Sequence, residues 1–533
     1  MVIRSFLMIT GLSLILSCET TSKKEGNAIG GRDTTISVAN SYNELFFDSV
    51  QLENFITSEK LQDSMASAMR NFYNQRNFQY AWFFKEGMAD YAATFLNQQN
   101  DYMNYSGDSS IFNIVLQTSL DSLSDTTSYN PPDSLKLKTE FLLTRQFLRY
   151  ASRAYAGRRD INAKDLGWYI PRKKIDPVGL LDSLLLNKGK NLSQYEPLNR
   201  QYNLLKNFLL KYYEAEKKGV WEPIVANRKS YKPGDTSITI SQIKKRLILT
   251  EDLTTDDTTA LFTDSLEVAV KRYQHRYGLK EDGVIGASLL SEMNRPINDR
   301  IQQILINMER IRWVPAEPAT DYLLVNIPEF RLHVYKNGKY DWNMKVVVGT
   351  VAHNTVIFNG NMKYIVFSPY WNVPPSIIRK EVIPGMKRNK NYLANHNMEW
   401  NNGAVRQKPG PRNSLGLVKF LFPNSYNIYL HDTPSKSLFN ESKRAFSHGC
   451  IRLAEPKRLA EYLLRNDPQW NESGITKAMN SGKEKYVTLK QTVPVFIGYF
   501  TAWVDRDGKL NFRDDIYGHD KEMAAHLFAT AKK

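Results

Sequence analysis

A cysteine and an upstream histidine are the residues of this sequence best suited to covalent chemistry. Cys450 lies in the run Ser447-His448-Gly449-Cys450-Ile451-Arg452, and His431 precedes it by 19 positions (450 − 431 = 19). A thiol attacks as its thiolate, so it needs a neighbouring base or a positive field to lower its pKa from about 8.5. This pattern predicts Cys450 as a nucleophile and His431 as its general base.

The residues around Cys450 suit the same chemistry. Gly449 allows close approach of the backbone, and the amides of Gly449 and Cys450 are natural donors to a developing oxyanion. Arg452 is suited either to a substrate carboxylate or to ordering the loop, because its planar fork pairs bidentately. A buried Cys is commonly an inert small hydrophobe, but the combination of thiol, glycine and arginine favours a reactive site.

The other cysteine, Cys18, belongs to a targeting segment. Arg4 and the apolar run 6–16 precede Ser17 and Cys18, which predicts a signal peptide over residues 1–18 with a bacterial lipobox. Cys18 is then the lipidation site, and residues 19–40 form a polar tether to a membrane. No later segment has the roughly 20 apolar residues that a membrane span requires. Cys450 is thus a single thiol in an exported chain, where thiols are usually paired.

Composition limits the partners. The 533 residues predict two or three domains, and the formal net charge of +16 favours an anionic environment such as phospholipid or wall polymer. A merely solvated basic surface is the alternative. The cations are scattered and no nucleic-acid motif occurs, so we expect no nucleic-acid partner. The other histidines lack metal-ligand spacing, so we expect no metal.

Hydrophobic periodicity predicts an α+β multidomain protein. We expect an all-α scaffold over 41–234, a small helical module over 235–295, a linker helix over 296–317 and a mainly β domain over 318–533. Within the scaffold, the pattern predicts helices including 81–96 and 198–213.

The β domain shows several strand signals. Asn337-Gly338 is a hairpin signal, and 495–503 is predicted to pair with 510–513 through Asp507-Gly508. Other strands are expected at 363–367, 418–422 and 428–431. A segment of about 376–411, rich in Asn, Lys, Pro and Gly, predicts a lid inserted over a groove.

The helical module contains Tyr277-Gly278-Leu279 followed by Asp282-Gly283-Val284-Ile285-Gly286. This run resembles the peptidoglycan-binding module of wall enzymes, and its glycines suit turns that need positive φ. The alternative is a helix-turn-helix unit used only for packing.

The Cys450 motif resembles the L,D-transpeptidase family, whose catalytic domain has a His followed later by [Ser/Thr]-His-Gly-Cys-x-Arg. The segments Trp371-Asn372-Val373-Pro374-Pro375, 406–411 and Asn413-Ser414-Leu415-Gly416 resemble its large branch, which has a helical scaffold, a peptidoglycan-binding module and a capping insertion. The resemblance covers nearly the whole chain after Cys18.

The resemblance implies roles by position. Cys450 is the nucleophile and His431 the base, while Gly449 and Cys450 supply oxyanion amides. The residues expected to support that site are Ser447, His448 and Arg452, and the candidates for the substrate groove are Tyr429, Asp432, Trp371 and Asn413. Asp432 stands where many smaller relatives have Gly, which leaves open the group that orients His431.

The implied reaction is peptidoglycan cross-linking in the cell envelope, on the periplasmic side. Cys450 attacks a donor tetrapeptide stem, D-alanine leaves, and the side-chain amine of an acceptor stem resolves the thioester to a 3→3 link. Acylation by carbapenems is expected and no diffusible cofactor is needed. The alternatives are an L,D-carboxypeptidase, protein attachment to the wall, a cysteine endopeptidase and an inactive wall-binding scaffold.

Overall fold

The computed structural model describes residues 30–124, 132–190, 196–255, 257, 259–315 and 318–528. The predicted signal peptide and Cys18 lie outside these residues. Helices dominate the first part and strands the second, which confirms the α+β class. Within the described ranges, no helix combines the length and the apolar character needed to span a bilayer. The helices are α1 Ser49–Ser58, α2 Asp63–Asn74, α3 Asp90–Ser106, α4 Ile114–Ser124, α5 Asp133–Ala156, α6 Pro177–Leu186, α7 Arg200–Lys217, α8 Ile238–Leu249, α9 Asp264–Arg276, α10 Ala287–Met293, α11 Ile297–Trp313, α12 Pro375–Ile377, α13 Ile383–Arg388, α14 Tyr392–Asn395, α15 Pro456–Leu464, α16 Glu472–Met479 and α17 His519–Leu527.

The chain packs into two compact units. The first contains most of the early helices, and the second contains the helical module and the β domain. The first consists of the chain up to Phe95 with Asn113–Leu148 and Leu181–Gly189, and the second of Leu96–Phe112, Arg149–Leu180 and the chain from Lys190 onwards.

A buried carboxylate organises the first unit. Glu140 on α5 accepts hydrogen bonds from the amides of Ala81 (2.7 Å) and Trp82 (2.8 Å) and from the hydroxyl of Tyr73 (2.9 Å). These bonds hold Ala81 and Trp82 outside any helix, so the predicted helix over 81–96 is wrong in its first half. A short hairpin, β1 Phe83–Phe84 with β2 Gly87–Met88, comes first, and α3 begins at Asp90.

Residues 30–40 do not form the free tether expected from their polarity. The amide of Gly30 donates to the Asn71 side chain (2.8 Å), and the amide of Asp33 donates to the Asn74 carbonyl (2.9 Å). Asn77 donates to the Ile36 carbonyl (2.7 Å). Asparagines at the end of α2 therefore fix this segment, because their amides satisfy an otherwise irregular backbone.

The helical module is formed by α8, α9 and α10. Buried Gln274 holds the turn after α9: its amide group donates to Asp282 (2.9 Å), and its oxygen accepts from the Gly283 amide (2.9 Å). At Gly278, φ is +67°, and a Cβ would lie 2.7 Å from the Cδ of Arg513. Glycine is therefore required at this position for two reasons: it adopts the positive φ, and it leaves room for the side chain of Arg513 from the β domain.

Most strands of the second unit close into a barrel. The pairing runs β5-β13-β11-β10-β6-β14-β3-β4, and β4 pairs back onto β5, while β12 adds to the outside of β5. The predicted hairpin at Asn337-Gly338 is confirmed between β4 and β5. The strands are β3 Tyr322–Asn326, β4 Arg331–Lys336, β5 Lys339–Gly349, β6 Phe358–Phe367, β7 Trp371–Asn372, β8 Met398–Asn401, β9 Ala404–Gln407, β10 Val418–Leu421, β11 Leu430–His431, β12 Ala445–Ser447, β13 Ile451–Leu453, β14 Lys485–Gly498, β15 Ala502–Val504 and β16 Leu510–Phe512.

One predicted strand is divided between two sheets. β14 ends at Gly498 and pairs with β3 and β6, whereas only β15 pairs with β16. The break lies between them because the amide of Phe500 donates to Asn326 and that of Thr501 donates to Asn307, both at 2.9 Å. The side chains of Asn326 and Asn307 thus accept hydrogen bonds that a neighbouring strand would otherwise accept. The apolar periodicity of the sequence does not reveal such partners.

The predicted lid is an ordered subdomain that runs from β7 to β9, which we call the capping subdomain. β7, β9 and β8 form a small antiparallel sheet, and α12, α13 and α14 lie between β7 and β8. Val373, Val382 and Val405 form its own buried core. Apolar and polar residues alternate little in this segment because its strands and helices are short and its core is small.

Candidate active site

Two adjoining parallel strands position the predicted nucleophile and base. In β11 and β13, Leu430 pairs with Ile451 and His431 pairs with Arg452. Leu430 and Ile451 point into the barrel core. Because side chains alternate along a strand, His431 and Arg452 lie on the outer face.

Cys450 immediately precedes β13 at the level of Tyr429, whose carbonyl accepts from the Ile451 amide (3.1 Å). The Tyr429 ring centroid is 5.7 Å from that of His431. Tyr429 and Arg452 both act electrostatically on the Cys450 thiol. The structure thus brings Cys450, His431, Tyr429 and Arg452 together on one surface.

The thiol of Cys450 is half-buried. It donates to the carbonyl of Asn427 at 3.6 Å, and Asn427 is held in the left-handed region (φ 55°). Burial raises the pKa of the Cys450 thiol, and this effect is opposed by Tyr429 and by the positive charge of Arg452. The resting sulfur is therefore protonated, next to a cation that favours its ionised form.

His431 is buried, and its tautomer follows from its contact. Nδ1 lies 2.5 Å from the carbonyl oxygen of Asp432. A carbonyl only accepts, so Nδ1 carries the proton and Nε2 keeps its lone pair. Burial and the charge of Arg452 lower the pKa of His431 to about 4. The ring is neutral at pH 7 and can accept a proton, and the group that orients it is the backbone of Asp432.

The nucleophile loop is closed by Ser447. Its hydroxyl donates to the carbonyl of Cys450 (2.6 Å) and accepts from the amide of Gly449 (3.1 Å). Thr355 donates to the carbonyl of Gly449 (2.8 Å). The Gly449 amide, expected to face an oxyanion, is therefore occupied by Ser447. Among the described residues, no acceptor receives the Cys450 amide.

His448 and Arg452 occupy different environments. His448 is exposed, and its ring centroid lies 5.0 Å from that of His353. Arg452 is half-buried, and its Nε has no hydrogen-bond partner in the described structure. Arg452 thus supplies an uncommitted cation beside the thiol, whereas His448 stands at the rim.

Two of the candidate groove residues use their side chains in loop hydrogen bonds. Asn413 is fully buried and donates to the carbonyls of Pro369 and Lys408. The carboxylate of Asp432 accepts from the Leu417 amide (2.9 Å) and from Lys436 (2.6 Å). Asn413 and Asp432 therefore organise loops through these hydrogen bonds, and their role in a substrate groove stays a prediction.

Trp371, the remaining groove candidate, begins the capping subdomain on β7 and packs partly against its core. Tyr429 contacts the site through its ring, and Asp432 contacts it through its main-chain carbonyl. The assignment of all four residues to a substrate groove stays a prediction.

Lys419 was not predicted. It lies on β10 opposite His431 and helps to lower the pKa of that ring. The sequence does contain a signal for this contact. Strands are expected at 418–422 and 428–431 with a short connection, and an antiparallel pairing places two such strands side by side.

In the described part of the chain, no three His, Cys, Asp or Glu side chains are grouped to hold a metal ion. The sequence expectation about metals stays a prediction.

Comparison with known families agrees with this arrangement. Residues 320–477 match the family model of the "L,D-transpeptidase catalytic domain". Residues 67–209 match the "Scaffold domain" model, and residues 239–293 match the "Putative peptidoglycan binding domain" model. Three separate parts of the chain are therefore similar to an L,D-transpeptidase catalytic domain, a scaffold domain and a peptidoglycan-binding domain.

A sequence relative is the "Putative L,D-transpeptidase" of Haemophilus influenzae, 32% identical over 243 residues. The match covers 42% of this chain and 49% of the relative, so the chain spans about half the length of the curated protein it matches.

Solved structures of similar proteins include an L,D-transpeptidase from Stackebrandtia nassauensis (13% identity, 52% of this chain, 98% of that chain, TM-score 0.23). Another is an L,D-transpeptidase from Mycobacterium smegmatis (13% identity, 34% of this chain, 59% of that chain, TM-score 0.20).

Proposed function

We propose that the chain is a peptidoglycan L,D-transpeptidase that forms 3→3 cross-links through an acyl-thioester on Cys450. The arrangement of side chains on the outer face of β11 and β13 supports this proposal most. There Cys450 and Arg452 lie near Tyr429 and near a neutral His431 with a free Nε2. The catalytic-domain match over 320–477 is consistent with this chemistry.

The first half-reaction begins with a neutral pair. Sγ of Cys450 attacks the carbonyl carbon of the third residue of the donor stem, and its proton passes to Nε2 of His431. Arg452 stabilises the negative charge on sulfur as it develops. His431 then protonates the leaving amine of D-alanine, and a thioester remains on Cys450.

The Cys450 amide is our candidate donor to the tetrahedral oxyanion, because it belongs to the nucleophile itself and no described residue accepts its hydrogen. Ser447 acts by positioning, since its two hydrogen bonds hold the loop in which that amide points outward. Gly449 contributes conformation, with φ at 110°, a region that residues with a side chain rarely adopt.

In the second half-reaction, the side-chain amine of an acceptor stem attacks the thioester. The amine loses a proton to His431, which returns it to the sulfur as the new amide forms. We propose that the capping subdomain covers this surface and excludes water, which would otherwise hydrolyse the thioester and release a tripeptide. We also propose a lipid anchor at Cys18 that holds the enzyme at a membrane.

Product analysis tests the proposal. Purified protein is incubated with tetrapeptide muropeptides, and the products are separated by chromatography and identified by mass. Wild type should give 3→3 dimers and free D-alanine, and Cys450→Ala and His431→Ala should give neither. His448→Ala is the matched control, because His448 is nearer in sequence to Cys450 but faces solvent.

Each alternative predicts different products. Tripeptide monomers without dimers would indicate a carboxypeptidase, and loss of existing cross-links from purified sacculi would indicate an endopeptidase. Dimers formed undiminished by Cys450→Ala would contradict the mechanism.

A further inference from the structure

A cavity of about 670 Å³ lies between the helical module and the outer face of the barrel, within the second compact unit. The module lines one side with the turn from Tyr277 to Glu281, and the barrel lines the other with Arg331 and Lys345. Neither Cys450 nor His431 lines it. This interdomain cleft is therefore separate from the candidate active site.

Four cations of the interdomain cleft have no carboxylate partner. Arg331, Lys345, Arg444 and Arg513 form no ion pair among the described residues. Arg444 and Arg513 donate to main-chain carbonyls, Lys345 donates to one carbonyl, and Arg331 donates to Asn343. Each guanidinium or ammonium group keeps further donors that these bonds do not use.

The cations also repel one another. Burial, with the charges of Arg331 and Arg513, lowers the pKa of Arg444 to about 10. Burial, opposed by Glu329, lowers the pKa of Arg513 to about 10, and Arg331 adds to this effect. Buried charges in folded proteins are normally paired, so a group of like charges creates a strong potential for an anion.

Five carboxylates line the cleft, and of these Glu292 pairs with Arg300 and Glu441 forms no ion pair among the described residues. Glu329 contacts His333 (2.8 Å), and Glu281 contacts His275 (2.9 Å). Asp514 pairs with Lys443 (2.9 Å) at the rim. Glu329 offsets part of the charge of Arg331 and Arg513. Seven Lys and Arg side chains line the cleft against five carboxylates, so the cleft keeps an excess of positive charge.

We propose that the interdomain cleft binds the carboxylates of a second peptidoglycan stem peptide, distinct from the stem that reacts at Cys450. The proposal rests on the proposed function for its substrate class. Guanidinium forks match carboxylates bidentately, and the volume suits a short peptide. One wall belongs to the module that matches a peptidoglycan-binding domain. Such a site retains the wall strand while the reaction proceeds at Cys450.

The test uses the full chain with Cys450 first acylated by imipenem, so that the catalytic site is filled. Calorimetry measures binding of a soluble stem tripeptide with free carboxylates, of the same peptide with amidated carboxyls, and of inorganic phosphate. The variant is Arg331→Gln with Lys345→Gln, two residues that are not fully buried. Lys336→Gln is the control, because Lys336 is exposed on the same strand as Arg331 but does not line the cleft.

Wild type and the control should bind the free-carboxylate peptide, and the double variant should bind it about tenfold or more weakly. Amidation should weaken binding to wild type similarly, while the rate of imipenem acylation stays the same in all three proteins. Equal affinity in wild type and the double variant would overturn the proposal, as would phosphate that binds as tightly as the peptide. Failure of imipenem to add its mass at Cys450 would instead contradict the proposed function, and the titration is then run with Cys450→Ala.

Discussion

At the scale of single residues, burial and the charge of Arg452 together set the pH range in which His431 can accept a proton. The pKa of His431 is lowered to about 4 by burial and by Arg452, so the base is neutral above that pH. Removing the cation favours the protonated ring and raises this pKa. It also removes an effect that lowers the pKa of Cys450.

We therefore expect Arg452→Gln to move the acidic limb of the kcat/KM profile upward from about pH 4 towards the ordinary histidine pKa of about 6.5. The basic limb should also move upward, because the thiolate loses a stabilising charge. Arg458→Gln, an exposed arginine on α15, is the control and should leave both limbs in place. An acidic limb that does not move in Arg452→Gln would show that His431 is not the titrating base.

The sequence identified residues whose chemistry is local and missed residues that depend on pairing across the sheet. Cys450, Gly449 and Arg452 are adjacent in sequence, so their association needs no knowledge of the fold. Lys419 reaches His431 only through strand pairing. Asn413 has a polar side chain typical of a groove, but its use in loop hydrogen bonds is visible only in the structure.

At the scale of elements, Glu140 joins α5 to the backbone before β1. We expect Glu140→Ala to lower the free energy of unfolding by roughly 3 kcal/mol, because buried donors without an acceptor cost about 1 to 3 kcal/mol each. Chemical denaturation measures the loss. Glu140→Gln is the matched variant, since it keeps one oxygen acceptor and should lose less. Equal stability of Glu140→Ala and wild type would contradict the role of Glu140.

Glu140 also makes stability depend on pH. Burial raises its pKa from 4.5 to about 7 in the folded protein. A raised pKa gives a contribution to stability that is complete below pH 4.5 and is lost as the pH rises through about 7. Wild type should therefore lose this contribution between pH 5 and pH 8, and Glu140→Gln should not. The same slope in both proteins would assign the pH dependence to other groups.

The capping subdomain is the element proposed to separate transfer from hydrolysis. Val405 is completely buried in its small core. We expect Val405→Asp to unfold the subdomain locally and to raise the ratio of tripeptide to dimer among the products. Lys380→Gln, exposed in the same insertion, should keep the wild-type ratio. An unchanged ratio in Val405→Asp, with local unfolding shown by proteolysis, would remove the subdomain from the mechanism.

At the scale of the whole molecule, a buried arginine joins the helical module to the β domain. Arg276 pairs with Asp252 inside the module and also donates to the carbonyl of Leu510 on β16. Arg513 returns a hydrogen bond to the Arg276 carbonyl (2.5 Å). The interdomain cleft therefore has fixed walls, which a preorganised binding site requires.

Breaking this connection should be costly. Arg276→Met leaves Asp252 as a buried charge without its partner, and we expect a loss of about 3 to 5 kcal/mol in the free energy of unfolding. Combining it with Asp252→Asn removes the unpaired charge and should recover part of the loss. Denaturant titration of the three proteins measures both effects, and an Arg276→Met variant as stable as wild type would contradict the structural role of Arg276.

The domain boundaries at 40, 234, 295 and 317 remain predictions. Sequence periodicity separated helical from β regions well, because each region repeats its own pattern over many residues. It could not foresee that long helices such as α5 contribute to both compact units, since the division depends on packing between distant segments.

The central claim is that the sulfur of Cys450 carries the acyl group and that His431 takes its proton. Intact-mass spectrometry after rapid mixing with a donor tetrapeptide stem, followed by peptide mapping, tests it most directly. The adduct should have lost D-alanine and map to Cys450, should be absent in Cys450→Ala, and should form about a hundredfold or more slowly in His431→Ala. An adduct on another residue, or one that forms at the wild-type rate without His431, would contradict the account.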